Sequence, residues 1–282
     1  MMPSVDIVGI VTRSNSNFNA DFCSLIPIAK RCGIPFFVDS KNNQNDMEHW
    51  IKSRSPDIVY CFGWSYLLKK EILSLPKLGV IGYHPTALPK NRGRHPIIWA
   101  LALGLTETAS SFFIMDEGAD SGDLISQKKV IISNTDNAAS LYSKLTSVAL
   151  KQVETFTSLL ASGKIQRIPQ DHTQSNYWRK RTKLDGKIDW RMSTKGIYNL
   201  VRALAKPYPG AHCEYNSNEI KIWGCKIILN DHDDLFISKF AHIEHGRVVS
   251  SSVEGIDIRC GNGVIRLTQH EFSELPLAGV CL

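Results

Sequence analysis

Two short stretches concentrate the side chains that can do acid–base or anion-binding chemistry. The first is Gly82–Pro96, GYHPTALPKNRGRHP, with His84 and His95, three prolines, and the cations Lys90, Arg92 and Arg94. It follows a β-branched apolar run, and ligands of open α/β sheets gather beyond the carboxyl ends of the strands. His84, at such a strand end, is of the type that takes and gives protons near neutral pH; the alternative is a structural, hydrogen-bonded histidine. The second stretch is Met115–Asp123, MDEGADSGD, with four acids and two glycines behind another apolar run. One of these carboxylates would orient His84 or accept its proton. The alternatives are an acidic turn or a divalent-cation loop, for which the run is too short. His242-x-x-His245 lacks the further ligands a metal site needs, and Asp231–Asp234 reads as a surface turn.

Elements that would position these residues follow from periodicity. Val5–Thr12, Ile34–Asp39, Pro56–Cys61 and Leu78–Tyr83 read as strands, and Asp21–Cys32, Met47–Ser53 and Leu67–Leu73 as intervening helices. Further on, Pro96–Leu103 is helical, Ala109–Met115 a strand and Asn137–Ser162 a long helix stopped by Gly163. The alternation predicts an α/β fold: a Rossmann-like, mostly parallel sheet with flanking helices. No GxGxxG follows the first strand and no GxxxxGK[ST] occurs, which argues against NAD binding and ATP hydrolysis. Past residue 165 the texture changes. Residues 169–187 are polar and read as a linker, Thr194–Ala205 as a helix, and the remainder as short strands with turn signals. That predicts a small C-terminal antiparallel β (OB-like) domain. The expected domains are 1–168, catalytic; 169–205, linker and connecting helix; and 206–282, β.

Composition narrows the class. At 282 residues, 43% hydrophobic and 21% charged, the chain is an ordinary globular protein with a length that suits two domains. No apolar run approaches a membrane span, and Met1–Arg13 lacks the features of a signal peptide. Seven scattered cysteines without a CxxC pair suit reduced thiols in the cytoplasm rather than a disulfide framework or zinc ribbon. The net charge of +6 is dispersed, which admits an anionic ligand but does not argue for nucleic acid.

The two stretches, in this order, resemble the folate-dependent formyltransferases. The matching runs are HPTALPKNRGRHPIIWAL and MDEGADSGDLI, with FGWSYLLKKEIL, IDWRMSTKGIYNLVRAL and PYPGAHCEY elsewhere. The resemblance covers about residues 55–225 and is nearest to the sugar-nucleotide N-formyltransferases. Within these, KNRGRHPIIWALALG is most similar to enzymes of pseudaminic acid-type pathways. It implies an enzyme that moves the formyl group of N10-formyltetrahydrofolate, without a metal, onto the amine of a UDP- or dTDP-linked amino sugar for surface or flagellar glycan. It also implies a homodimer, with neither nucleic acid nor membrane as partner. The rivals are a methionyl-tRNA formyltransferase, whose C-terminal domain should be basic, and a catalytically impaired sugar-nucleotide or folate binding protein. Residues 206–282 hold fewer Lys and Arg than Asp and Glu, which disfavours the tRNA reading.

The family's catalytic pattern is an Asn-x-His pair and an Asp in D-[AST]-G. His84 matches the histidine and Asp120, in Asp120-Ser121-Gly122, the aspartate. Gly82 stands where the family has asparagine, whose amide donates to the formyl oxygen. Losing such a donor costs about 3 kcal/mol of transition-state stabilisation. Water, Thr86, Asn91 or a backbone N–H would have to replace it. By the same resemblance, Trp64, Ser65, Tyr66, Leu67 and Leu68 form the pterin wall, with Glu117, Gly118 and Ala119 opposite; for Leu67 and Leu68 the alternative is helix core. Thr86, Lys90, Asn91, Arg92, Gly93 and Arg94 would contact sugar or phosphate, arginine being suited to bidentate phosphate binding. Tyr177, Trp178 and Arg179 would hold nucleobase and diphosphate by stacking and charge, or else form part of a solvated linker.

Overall fold

The computed structural model describes residues 5–15, 22–40 and 43–282. In chain order its elements are β1 (Ile10–Thr12), α1 (Ile26–Arg31), β2 (Phe36–Val38), α2 (Gln44–Arg54), β3 (Val59–Cys61), α3 (Lys70–Leu73), β4 (Val80–His84), β5 (Arg92–Gly93), α4 (Pro96–Ala102), β6 (Glu107–Ile114), β7 (Leu124–Ile131) and α5 (Ala138–Ala161). There follow β8 (Tyr177–Trp178), α6 (Thr194–Leu204), β9 (Ala211–Tyr215), β10 (Asn218–Asn230), α7 (Asp234–Lys239), β11 (Val248–Ser252), β12 (Gly255–Cys260) and β13 (Gly263–His270). Of the helix expected over Asp21–Cys32, Asp21 lies outside the described residues, and the helix itself, α1, begins only at Ile26. Among the described residues no helix is long and apolar enough to cross a membrane.

One compact unit comprises Met1–Pro96, Thr108–Val130 and Lys144–Arg179. Its main sheet has the order β3-β4-β6-β7. β3 and β4 run parallel, as β1 and β2 do in a separate pair, whereas β6 returns antiparallel to β4. β4 is covered on both faces because successive residues point to opposite sides. Val80 packs with Met47, Ile51, Leu68 and Ile72. Ile81 packs instead with Phe112 of β6 and with Phe156 and Leu160 of α5. Gly82 and His84 therefore share the face of Val80, and His84 ends the strand because Pro85 has no N–H to continue it. Residues 169–187 are not the open linker that their polarity suggests. They include β8, which pairs in parallel with β5 (Arg92 opposite Tyr177, Gly93 opposite Trp178), and Gln170, which is only 6% exposed. Polar side chains bury here because each meets a partner distant in sequence.

The other unit comprises Ile97–Glu107, Ile131–Ser143 and Lys180–Leu282. Its five-stranded sheet has the order β11-β12-β13-β10-β9, and each pairing is antiparallel. α6 is capped by the Ser193 hydroxyl, which accepts from the Gly196 N–H, and its apolar residues 197, 200, 201 and 204 repeat at helical spacing and are buried. Burial pushes the Cys213 and Cys225 thiols up to about 12, and the Cys260 thiol to about 11. They are packing residues rather than nucleophiles.

A cross-strand ion pair ties β12 to β13. Arg266 reaches both Asp257 oxygens at 2.6 and 2.9 Å, and the Ser250 hydroxyl donates to Asp257 at 2.8 Å. Burial alone would raise the Asp257 pKa, but the hydrogen bonds from Arg266 and Ser250 and the guanidinium charge outweigh it and hold the pKa below the ordinary value. A depressed carboxylate stabilises the fold above its unfolded pKa of about 3.9, and that contribution is lost as pH falls through the folded value. Asp257→Asn is thus expected to cost about 1–3 kcal/mol at pH 7. Urea unfolding should show this deficit shrinking as the pH is lowered below 4; a deficit independent of pH would contradict the account.

Candidate active site

The His84 side chain is 5% exposed and held from two sides. Its Nε2 lies 2.8 Å from the Asn91 carbonyl oxygen, and its Nδ1 lies 3.7 Å from Asp120 Oδ2. A carbonyl only accepts, so Nε2 carries the hydrogen in this bond and the neutral ring presents a lone pair at Nδ1. That nitrogen faces the Asp120 carboxylate. The gap exceeds direct hydrogen-bond length, so the pair is close enough for charge stabilisation without being locked together.

Both partners sit on strained turns fixed by side chains. Asn91 has φ of 62°, a conformation that asparagine tolerates better than most residues. Its N–H donates to Asn176 Oδ1 at 2.8 Å, and Asn176 Nδ2 donates back to Asn91 Oδ1 at 3.1 Å. Asp120 has φ of 56°, and its Oδ2 accepts from the Gly93 N–H at 2.9 Å. Gly93 (φ 108°) is required where β5 meets β8, because a Cβ there would lie 2.3 Å from the Trp178 carbonyl oxygen. Gly122 is required more strongly still: a Cβ would lie 1.8 Å from the Ile114 carbonyl oxygen. The glycine of Asp-Ser-Gly thereby lets the aspartate turn fold against the end of β6.

Gly82 lies directly opposite Phe113 in the β4–β6 register. A Cβ at position 82 would be 2.7 Å from Phe113 Cζ and 2.9 Å from Met115 Cγ. The volume beside the glycine is thus filled by apolar side chains. The two side chains expected to substitute for an asparagine donor are engaged elsewhere. Thr86 is fully buried and its hydroxyl donates to the Lys90 carbonyl at 3.0 Å, while Asn91 is committed to Asn176.

The remaining expected site residues divide. Arg92 does not face a ligand. It is 1% exposed; its Nη2 donates to Gln170 Oε1 at 2.7 Å and lies 3.2 Å from His172 Nδ1, and its Nη1 donates to the Tyr177 hydroxyl at 3.2 Å. Leu68 is likewise core, packed on Ile51 and Ile72, whereas Leu67 is 58% exposed. Arg94 is exposed and donates to the Ser65 carbonyl at 2.7 Å, which joins the loop after β4 to the 62–66 loop. Lys90, Tyr66, Tyr177 and Arg179 are exposed, and Ser65 and Trp178 half-buried. Glu117 and Gly118 are exposed, Ala119 is half-buried, and Glu117 pairs with Lys70 at 3.3 Å.

Three residues outside the expected set belong to this neighbourhood. Arg13, just past β1, pairs with Asp39 at 2.9 Å and lies over the rings of Trp64 and Tyr66 at 5.4 and 4.9 Å. Its position after the first strand of an α/β sheet is the signal that could have found it. Gln170 and Asn176 carry no such signal, since only their partners identify them. Among the described residues the buried Trp64 indole N–H has no acceptor.

The formyl transferase family profile matches residues 4–155, and that of the formyl transferase C-terminal domain matches residues 180–276. Among solved structures, HypX from Aquifex aeolicus in complex with tetrahydrofolic acid superposes with a TM-score of 0.66 at 16% identity, over 94% of this chain and 44% of that one. The chain thus spans less than half the length of HypX. The N-formyltransferase from Helicobacter canadensis, in complex with folinic acid and dTDP-3-aminofucose, gives 0.65 at 16% identity over 93% of this chain and 99% of its own. Methionyl-tRNA formyltransferase from Clostridium thermocellum gives 0.60 at 18% identity, covering 78% and 94%. At these identities the structural likeness speaks for the fold, and the profile match over more than half of the sequence speaks for descent: the chain belongs to the formyl transferase family.

Proposed function

We propose that the chain transfers a formyl group from N10-formyltetrahydrofolate to the amine of a nucleotide-linked amino sugar, with His84 and Asp120 as its catalytic pair. The observation that carries this reading is the buried imidazole with one nitrogen committed to the Asn91 carbonyl and the other turned to a carboxylate. Attack of an unprotonated amine on the formyl carbon forms the C–N bond and moves the carbonyl electron pair onto oxygen. His84 Nδ1 takes the proton that the attacking nitrogen must shed. Asp120 stabilises the imidazolium so formed, and the same proton is returned to the folate nitrogen as its bond to the formyl carbon breaks. With position 82 closed to a side-chain donor, the imidazolium Nδ1–H, the ring N–H not bonded to the Asn91 carbonyl, would also serve the developing oxyanion.

The residues fit a folate co-substrate at the 62–66 loop, where Trp64 offers a buried N–H and Tyr66 an exposed ring beside Arg13. Glu117–Ala119 would form the opposite wall. Lys90, Arg94, Tyr177, Trp178 and Arg179 remain as nucleotide and sugar contacts; Arg92 does not. The sugar-nucleotide reading over a tRNA substrate is supported by the non-basic residues 206–282 and by full-length similarity to an N-formyltransferase whose structure holds dTDP-3-aminofucose. A UDP- or dTDP-linked sugar of a pseudaminic acid-type or other surface-glycan pathway is the finer form of the proposal.

The test is turnover followed by mass spectrometry. N10-formyltetrahydrofolate would be offered with a panel of UDP- and dTDP-linked amino sugars and, separately, methionyl-tRNA. A formylated sugar made by the wild type and sharply reduced in His84→Ala is the expected result. Formylation of the tRNA alone would replace the substrate assignment. Tight sugar binding without turnover would favour the binding-protein alternative.

A further inference from the structure

We propose that Gln170, acting through Arg92, is a positioning residue that sets the spacing of the His84–Asp120 pair. The claim rests on the catalytic assignment above and extends it to a side chain that touches neither reactant. Gln170 is 6% exposed, and all of its polar groups are used. Its Nε2 donates both to the Asp120 carbonyl at 3.0 Å and to the Gly122 carbonyl at 2.6 Å, while its Oε1 accepts from Arg92 Nη2 at 2.7 Å. One amide thus grips the backbone on either side of Ser121 and the side chain of the residue next to Asn91. Those are the two turns that supply the acceptor for His84 Nε2 and the carboxylate facing Nδ1.

The chain reaches this position by strand-like pairing at both ends of the segment. Leu124 and Ile168 exchange N–H and carbonyl hydrogen bonds at 2.8 Å in each direction. Continuing that antiparallel register sets Gln170 beside Gly122. Further along, the Arg92 N–H donates to the Asn176 carbonyl and the Arg94 N–H to the Trp178 carbonyl, each at 3.0 Å. Residues 168–178 therefore form a strap that begins on the Asp120 turn and ends on the Asn91 turn. An amide is required at position 170. A carboxylate would keep the Arg92 contact but would offer no donor to two carbonyl oxygens, and an alanine would leave both carbonyls and the buried guanidinium short of partners. Residues that orient catalytic groups in this way cost about 10–100-fold when removed.

The experiment pairs Gln170→Ala and Gln170→Glu with Gln152→Ala. Gln152 is also buried, at 4% exposed, but its amide serves Ser110 and Ser126 and not the catalytic turns. Two readouts are taken. The first is steady-state formyl transfer, where Gln170→Glu should lower kcat about 10–100-fold while KM for both substrates stays within about threefold, and Gln152→Ala should leave kcat nearly unchanged. The second needs no turnover. Nitrogen-15 spectra of the histidine rings at alkaline pH report which nitrogen of His84 carries the hydrogen. The wild type and Gln152→Ala should show the Nε2–H form, and both Gln170 variants a mixture of the two tautomers. If the wild type formylates no amine, the spectra still decide the positioning claim while the functional reading falls on its own. A folded Gln170→Glu protein with wild-type kcat and an unmixed Nε2–H signal would overturn the proposal. Failure of both Gln170 variants to fold, with Gln152→Ala folded, would also overturn it, because the residue would then serve the fold rather than the spacing.

Discussion

His84→Ala is expected to lower kcat for formyl transfer by about 10²–10⁴-fold, the range spanned by a positioned general base, with little change in KM. The ring is the group that accepts a proton from the attacking amine and, once charged, faces the oxyanion. The substitution also leaves the Asn91 carbonyl without its donor, which costs about 1–3 kcal/mol if the site stays dry. Folding should therefore be checked by circular dichroism before rates are compared. Asp120→Asn is the informative companion: it keeps an oxygen to accept from the Gly93 N–H but removes the charge facing Nδ1. It should fall short of the His84 variant, since the ring can still take the proton. Equal kcat for His84→Ala and wild type at saturating substrates would remove His84 from the mechanism altogether.

Gly82→Asn, the change that restores the family's residue, is expected to damage the protein rather than improve it. The added Cβ would stand 2.7 Å from Phe113 Cζ and 2.9 Å from Met115 Cγ, before the carboxamide is placed at all. Overpacking of this kind costs about 1–3 kcal/mol, and a buried amide without partners adds about 1–3 more. Urea unfolding should show a loss of that order, and kcat should not rise. Opening the space with Phe113→Ala in the same chain should recover part of the stability that the single variant loses. A stable Gly82→Asn protein with raised kcat would show that Phe113 and Met115 give way easily and that the site had simply lost a donor. The cross-strand register explains why a single-site comparison misleads here: Gly82 and the aromatic ring opposite it are one packing unit, and neither can be exchanged alone.

That pair also marks how far the sequence could be read. The alternation of apolar runs located β4 and β6, because strand periodicity is a local property, whereas only the family resemblance singles out Asp120 among the four acids of residues 115–123. The fate of Arg92 was not local. An arginine between Asn91 and Gly93 in a glycine- and proline-rich loop has the look of a phosphate ligand, and only contact with Gln170, Tyr177 and His172 turns it inward. The polarity of residues 169–187 misled for the same reason, since a buried amide or guanidinium is indistinguishable in sequence from a solvated one. Leu67 and Leu68 show the limit on a smaller scale. Adjacent leucines at a helix entrance read as either ligand wall or core, and the fold sends one outward and the other into the cluster with Ile72.

The strap over residues 168–178 has a consequence for the order in which the protein is made. His84 and Asp120 emerge from the ribosome well before Gln170 and Asn176, which hold their turns in place. A nascent chain that ends before residue 170 can contain every strand of the β3-β4-β6-β7 sheet and still lack both clamps. Since domains generally fold as units during synthesis, and residues 144–179 belong to the same compact unit as that sheet, the arrangement around His84 and Asp120 is complete only once its last tether has emerged. A fragment ending near residue 165 should accordingly carry His84 and Asp120 without the tethers that hold their turns, and the polar segment that reads as filler is the step that completes the arrangement.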